Sequence, residues 1–223
     1  WMLERSTQPR RDRVEWYYKG ERISGMDGRV GLQQKLGEIM EEVFPKTPVL
    51  RNEMIVRNKP SVVVINSRKK LVIAMLEQSG KEDLTITGKF PDMRMFRTLL
   101  LQTGLYRQIK GAWGYAQPAE LKDSNMQEVW SAFQGFFTHP SADPRPFSEL
   151  FTALEQPPIG LRNAVLPVFL AAAMQAFLSP RLLSREGAYL ADVLATDVES
   201  IVKHPAEYYL HVLSIDKPQR NAI

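Results

Sequence analysis

Residues Arg51 to Met75 read RNEMIVRNKPSVVVINSRKKLVIAM, and they set the style of the fold. A charged opener, Arg51-Asn52-Glu53, is followed by Pro60 and Ser61, which predict a helix start. Proline fixes its own φ near the helical value, and a serine hydroxyl can accept from a first-turn N–H. On a helical wheel Val64, Leu71, Val72 and Met75 share one face, with Arg68 in its middle and Lys69 and Lys70 off it. A guanidinium on an apolar face must be paired or must reach out to water. Glu53, in the irregular segment upstream, is the expected partner, in an Arg68–Glu53 ion pair. The alternative is a phosphate-contacting patch of Arg51, Arg57, Arg68, Lys69 and Lys70. With Arg68 on the inner face, Arg57, Lys69 and Lys70 are the outward candidates, joined by Arg162 at a later helix start.

Working outward, Val14 to Ile23 predicts strand, Lys19-Gly20 turn, strand. Leu32, Leu36, Ile39, Met40 and Val43 have helical spacing, and Pro45 and Pro48 end that helix. After the central helix, Gly80 is a stop and Leu84 to Thr87 a short strand. Asp92 is expected to cap a helix carrying Met93, Phe96, Leu99 and Leu100 that closes at Gly104. Trp113 to Asp123 reads as a connector, and the boundary falls there. Residues 1–112 form a basic N-terminal helical domain with a β hairpin, and 113–223 a winged-helix-like C-terminal domain. That second half predicts helices over Met126–Phe137, Phe147–Leu154 and Asn163–Phe177. The last of these is apolar all round and so buried. A hairpin around Arg185-Glu186-Gly187, a helix ending near His204 and a strand over Glu207–Ile215 complete the chain. The fold class is mainly α with short β hairpins, built from winged-helix or helix-turn-helix-like units.

The chain has 223 residues, enough to bury a core, and no cysteine. That excludes a disulfide scaffold, a thiolate metal site and a cysteine nucleophile. The opening Trp1-Met2 reads as a cut from a longer protein, and no signal peptide follows. The net charge of +4 is uneven. Residues 1–70 carry 15 Lys and Arg against 9 Asp and Glu, and the remainder 14 against 16. A local basic excess favours a polyanion or an acidic partner surface, or is a solvated flank.

Catalytic motifs are missing. Ser79-Gly80-Lys81-Glu82 lacks the upstream glycine and the hydroxyl of a phosphate loop, and Gly25, Gly28 and Gly31 have the wrong spacing for a dinucleotide fold. His139, His204 and His211 have no neighbour at metal-ligand spacing. No catalytic, cofactor-binding or metal residue is assigned, and no cofactor is expected. The apolar run at 163–177 is too short and interrupted for a membrane span.

The segments Arg51-Asn52-Glu53, Asn58-Lys59-Pro60-Ser61, Thr103-Gly104-Leu105-Tyr106-Arg107 and Pro157-Pro158-Ile159-Gly160-Leu161-Arg162 resemble the region downstream of the ATPase core in large prokaryotic antiphage P-loop proteins of the BREX type. The resemblance runs from about Trp16 to about Ile215. It implies a bacterial, cytoplasmic defence protein whose motor lies outside this chain, and it brings no catalytic residue onto these positions. Two expectations follow. One is a non-catalytic interaction module mediating assembly, self-association or protein-partner contacts. The other is a DNA-binding winged-helix-like module using the basic N-terminal third.

Overall fold

Three two-residue Xaa-Gly turns shape the small sheets. Lys19-Gly20, Lys110-Gly111 and Glu186-Gly187 each place both residues at positive φ, at 52° and 81°, 51° and 88°, and 49° and 86°. That is the type I′ pattern, whose twist matches the strands it joins. Each turn closes an antiparallel pair: β1 (Trp16–Tyr18) with β2 (Glu21–Ile23), β3 (Tyr106–Ile109) with β4 (Ala112–Tyr115), and β6 (Arg181–Arg185) with β7 (Ala188–Tyr189).

The computed structural model describes residues 16–23, 28–55 and 60–214. The chain divides into two compact units between Pro45 and Lys46. The first holds the β1–β2 hairpin and α1 (Gly28–Val43). On α1 the stripe of Leu32, Leu36, Ile39 and Val43 is half-buried, and Lys19 pairs with Glu42. The expected boundary between 112 and 113 falls inside β4, in the second unit.

In the second unit α2 (Val62–Glu77) starts where Pro60-Ser61 predicts, with the Ser61 hydroxyl accepting from the Val64 N–H. Its buried side includes Leu71, Val72 and Met75. The chain continues through α3 (Pro91–Phe96), a π-helical turn over Arg97–Leu101, and the β3–β4 hairpin. Then come α4 (Ser124–Thr138), β5 (Arg145–Pro146), α5 (Phe147–Glu155) and α6 (Leu166–Ala176). β6, β7, α7 (Ala195–Lys203) and β8 (Tyr208–Val212) follow. The last sheet has the order β5-β8-β6-β7, all antiparallel. Helix α6 is the hub: every residue from Leu166 to Met174 is buried, and α2, α4 and α7 pack on it. The fold is therefore helices with small antiparallel sheets.

Three local expectations are corrected. Leu84 to Thr87 is not a strand. Glu82–Thr85 is a 3-10 turn in which Asp83, Leu84 and Thr85 have φ of 48°, 49° and 57°, and the turn drives Leu84 fully into the core. Asp92 does not cap α3. Phe90 holds the cap position, Pro91 opens the helix, and Asp92 Oδ1 accepts from the next residue's N–H instead. The supposed connector at 113–123 contains β4 and a 3-10 turn over Pro118–Glu120. The Tyr106 ring stacks on Trp113 and meets Tyr115 and Phe96 edge-on, and the Trp130 indole N–H donates to Ala116 O at 2.8 Å, so this stretch is part of the core.

Arg68 is paired, but not with Glu53. Its Nε and Nη2 donate to the two carboxylate oxygens of Glu199 on α7, at 2.9 and 2.6 Å, and Nη1 donates to Ala164 O at 3.0 Å. Glu53 is exposed in the turn at 53–55. The physical reason is the position of α7, which packs along α2 and brings a carboxylate to the guanidinium; sequence proximity could not show that.

Candidate nucleic-acid interface

Arg51-Asn52-Glu53 is fixed by its middle residue. Asn52 is 2% exposed. Its Oδ1 accepts from the Met54 and Ile55 N–H groups, and its Nδ2 donates to Thr98 Oγ1 at 2.8 Å. Thr98 in turn donates to Arg94 O at 2.8 Å. This hydroxyl relay suits the π-helical turn, where the Gln102 N–H reaches back to Arg97 O and the usual ladder is interrupted. The relay ties the 51–55 turn to α3 and sets Arg51 beside the α3 arginines.

The result is a cleft of about 1110 Å³ between the 49–51 segment, α3 with its π turn, the start of β3, and the 120–126 segment leading into α4. Six cations line it: Arg51, Lys89, Arg94, Arg97, Arg107 and Lys122. Two carboxylates line it, Glu120 and Asp123, and both are engaged. Glu120 accepts from the Gln117 N–H at 2.7 Å and pairs with Arg107 at 3.0 Å. The Gln117 N–H, and after it Arg107, hold the Glu120 carboxyl below the usual carboxylate range. Asp123 is the N-cap of α4, accepting from the Asn125 and Met126 N–H groups. Arg51, Lys89, Arg94, Arg97 and Lys122 are exposed and have no carboxylate partner among the described residues.

Arg94 on α3 and Arg97 at the start of the π turn stand one turn apart and exposed, beside the buried Met93, Met95 and Phe96. Phe90 also lines the cleft, and it is 67% exposed. Small-molecule clefts are mostly apolar and about 300–1,000 Å³. A larger cleft walled by unpaired guanidinium and ammonium groups suits an extended polyanion.

Of the sequence-chosen cations, only Arg51 is among the described residues that line the cleft. Lys69 and Lys70 are exposed on α2 and do not line the cleft. Arg162 precedes a 3-10 turn over Asn163–Val165 and does not line it either. Arg57 lies outside the described residues. Arg51 does line the cleft; Arg68 serves the fold. Sequence reading misses Lys89, Arg94, Arg97, Arg107 and Lys122 because these fall in the net-acidic remainder of the chain, where the segment as a whole shows no basic excess. One signal was available: Arg94 and Arg97, three residues apart on the polar side of an amphipathic helix, with no acid one turn away.

None of the three histidines lines the cleft. His139 Nδ1 faces Gly135 O, His211 Nε2 faces Ser141 O, and His204 lies near Glu207, which also pairs with Arg185. Among the described residues no group of three His, Asp or Glu side chains is placed to hold a metal, and no helix is long and apolar enough to cross a membrane. Comparison with protein-family models, curated proteins and solved structures found no match.

Proposed function

We propose that the chain is a non-catalytic binding module that holds the phosphate backbone of a nucleic acid in the α3 cleft. The observation that carries this is the surplus of cations: five exposed Lys and Arg side chains share one cleft, and both of its carboxylates are already engaged. Cations held together without partners in one low-lying surface repel each other, and a polyanion relieves that repulsion while releasing its own counterions.

The order α4, β5, α5, α6, β6, β7 follows that of a winged helix, which supports a winged-helix-like tail. DNA reading by the third helix of that order is not part of the proposal, because α6 is buried on every side and has no face to offer a groove. The resemblance to antiphage P-loop ATPases supports a setting in which this module serves a motor elsewhere, in a cytoplasmic bacterial protein. A second mode, contact with protein partners or a second copy, is favoured by one observation. Leu178, Leu182, Tyr189 and Leu194, all on or next to the β6–β7 hairpin, are exposed.

The test is fluorescence anisotropy of labelled oligonucleotides with the full chain across a salt series. If all five cations contact phosphate, log K falls against log salt with a slope of about −3.5 on a single strand and about −4.5 on a duplex. Arg94→Glu with Arg97→Glu should weaken binding at least about tenfold and flatten the single-strand slope by about 1.4. Lys69→Glu with Lys70→Glu should leave it nearly unchanged. Failure to bind at low salt, or an equal loss from the Lys69/Lys70 pair, overturns the proposal.

A further inference from the structure

We infer that the cleft takes single-stranded nucleic acid, with the Phe90 ring as a platform for an unstacked base; this rests on the cleft being a phosphate-backbone site. Among the described residues Phe90 is the one aromatic of the cleft lining, 67% exposed, between Lys89 and the arginines Arg94 and Arg97. An exposed phenyl ring among cations gains little from the fold. It gains from a flat apolar partner whose flanks are anionic, and a nucleotide has both.

The ring is also held. Gly88 has φ of 95°, and a Cβ added there would lie 3.1 Å from two Phe90 ring atoms, so the ring lies close against the Gly88 backbone. Pro91 follows and opens α3, fixing the backbone on the other side, and the Arg94 N–H donates back to Phe90 O at 3.2 Å. Phe90 is thus an exposed aromatic surface on a backbone fixed by the helix start, with Arg94 one turn along. Sequence-tolerant single-strand sites combine a positive track for the backbone with aromatic faces for the bases. A duplex hides its base faces in the stack and leaves such a ring without a partner.

The experiment compares three labelled probes of one length on the full chain: a single strand, its duplex, and a single strand of abasic sites that keeps the phosphates and removes the bases. DNA and RNA single strands are run side by side to separate the two sources of the same chemistry. The expected result is tighter binding of the base-containing strand than of either other probe. Phe90→Ala should weaken that strand by about fivefold to 150-fold, the range that base–aromatic stacking spans by alanine substitution. It should leave the abasic probe, the duplex and the salt slope unchanged, and Phe90→Trp should restore the single-strand preference. Duplex binding as tight as the single strand, or equal losses on the base-containing and abasic probes with Phe90→Ala, overturns the inference. If Arg94→Glu with Arg97→Glu abolishes binding while Phe90→Ala changes nothing, the single-strand inference falls and the phosphate cleft stands. If neither substitution matters, both fall. Displacement by poly-glutamate at matched charge overturns both in favour of an acidic protein partner.

Discussion

Removing Glu199 should unlock α2 from α7. The Arg68 guanidinium makes three hydrogen bonds, two of them a fork onto Glu199 and one to Ala164 O. The two side chains are only 11% and 18% exposed, so water cannot readily replace a lost partner. Breaking a buried pair by removing one partner typically costs about 3–5 kcal/mol. The residual exposure lowers this to about 2–4 kcal/mol for Glu199→Ala, since a stranded Arg68 can swing partly to solvent. Arg68→Ala should cost at least as much, because it also releases Ala164 O at the turn leading into α6. The double variant Arg68→Met, Glu199→Leu removes both charges and keeps their volume, and should lie within about 1–2 kcal/mol of the parent. The assay is urea denaturation of the full chain followed by tryptophan fluorescence and far-UV circular dichroism, with the coupling taken from the double-mutant cycle. Coupling below about 0.5 kcal/mol, or Glu199→Ala costing less than about 1 kcal/mol, refutes the claim that this fork holds α2, α6 and α7 in register. Glu53→Ala is the control and should change stability by no more than about 0.5 kcal/mol, as expected of an exposed turn residue.

Other outcomes follow from the same contacts. Asn52→Ala strands the buried Ile55 N–H and breaks the relay to Thr98; it should cost about 2–4 kcal/mol, with faster hydrogen exchange at Ile55, and should weaken oligonucleotide binding by moving Arg51. Tyr106→Phe removes the hydroxyl that donates to Lys81 O at 2.7 Å and accepts from Gly80 N at 3.1 Å; a loss of about 1–2 kcal/mol in denaturation is expected. Lys110→Asn puts a residue that tolerates left-handed φ at the first position of the β3–β4 turn, and should raise the midpoint of thermal unfolding, whereas Gly111→Ala should lower it. Arg94→Glu with Arg97→Glu should leave stability within about 0.5 kcal/mol, so that any binding loss is not a folding loss.

Local signals decided much of the fold from sequence alone. Pro60-Ser61 marks the start of α2, because a fixed φ and a hydroxyl cap act within one turn of chain. The unbroken apolar run of α6 announces a helix with no solvent face. The Lys19-Gly20 and Glu186-Gly187 turns announce their hairpins, since only a few residue types accept two successive positive φ values. Lys110-Gly111 carries the same signal, yet sequence reading misses β3–β4 and makes Trp113 to Asp123 a connector, because the apolar periodicity there is weak. The wheel also placed Arg68 on an inner face and so showed that it needs a partner. Which carboxylate answers it was a matter of tertiary packing, because Glu199 reaches α2 only once α7 is laid against it. The cleft belongs to the same class of fact. Arg51 and Lys122 lie far from Arg94 in sequence; Arg51 meets it because Asn52 binds Thr98, and Lys122 because the 120–126 segment lines the same cleft. Charge is visible in a sequence, but its surplus is a spatial quantity: it depends on which acids are spent on helix caps and ion pairs, and that is settled only when the chain has folded.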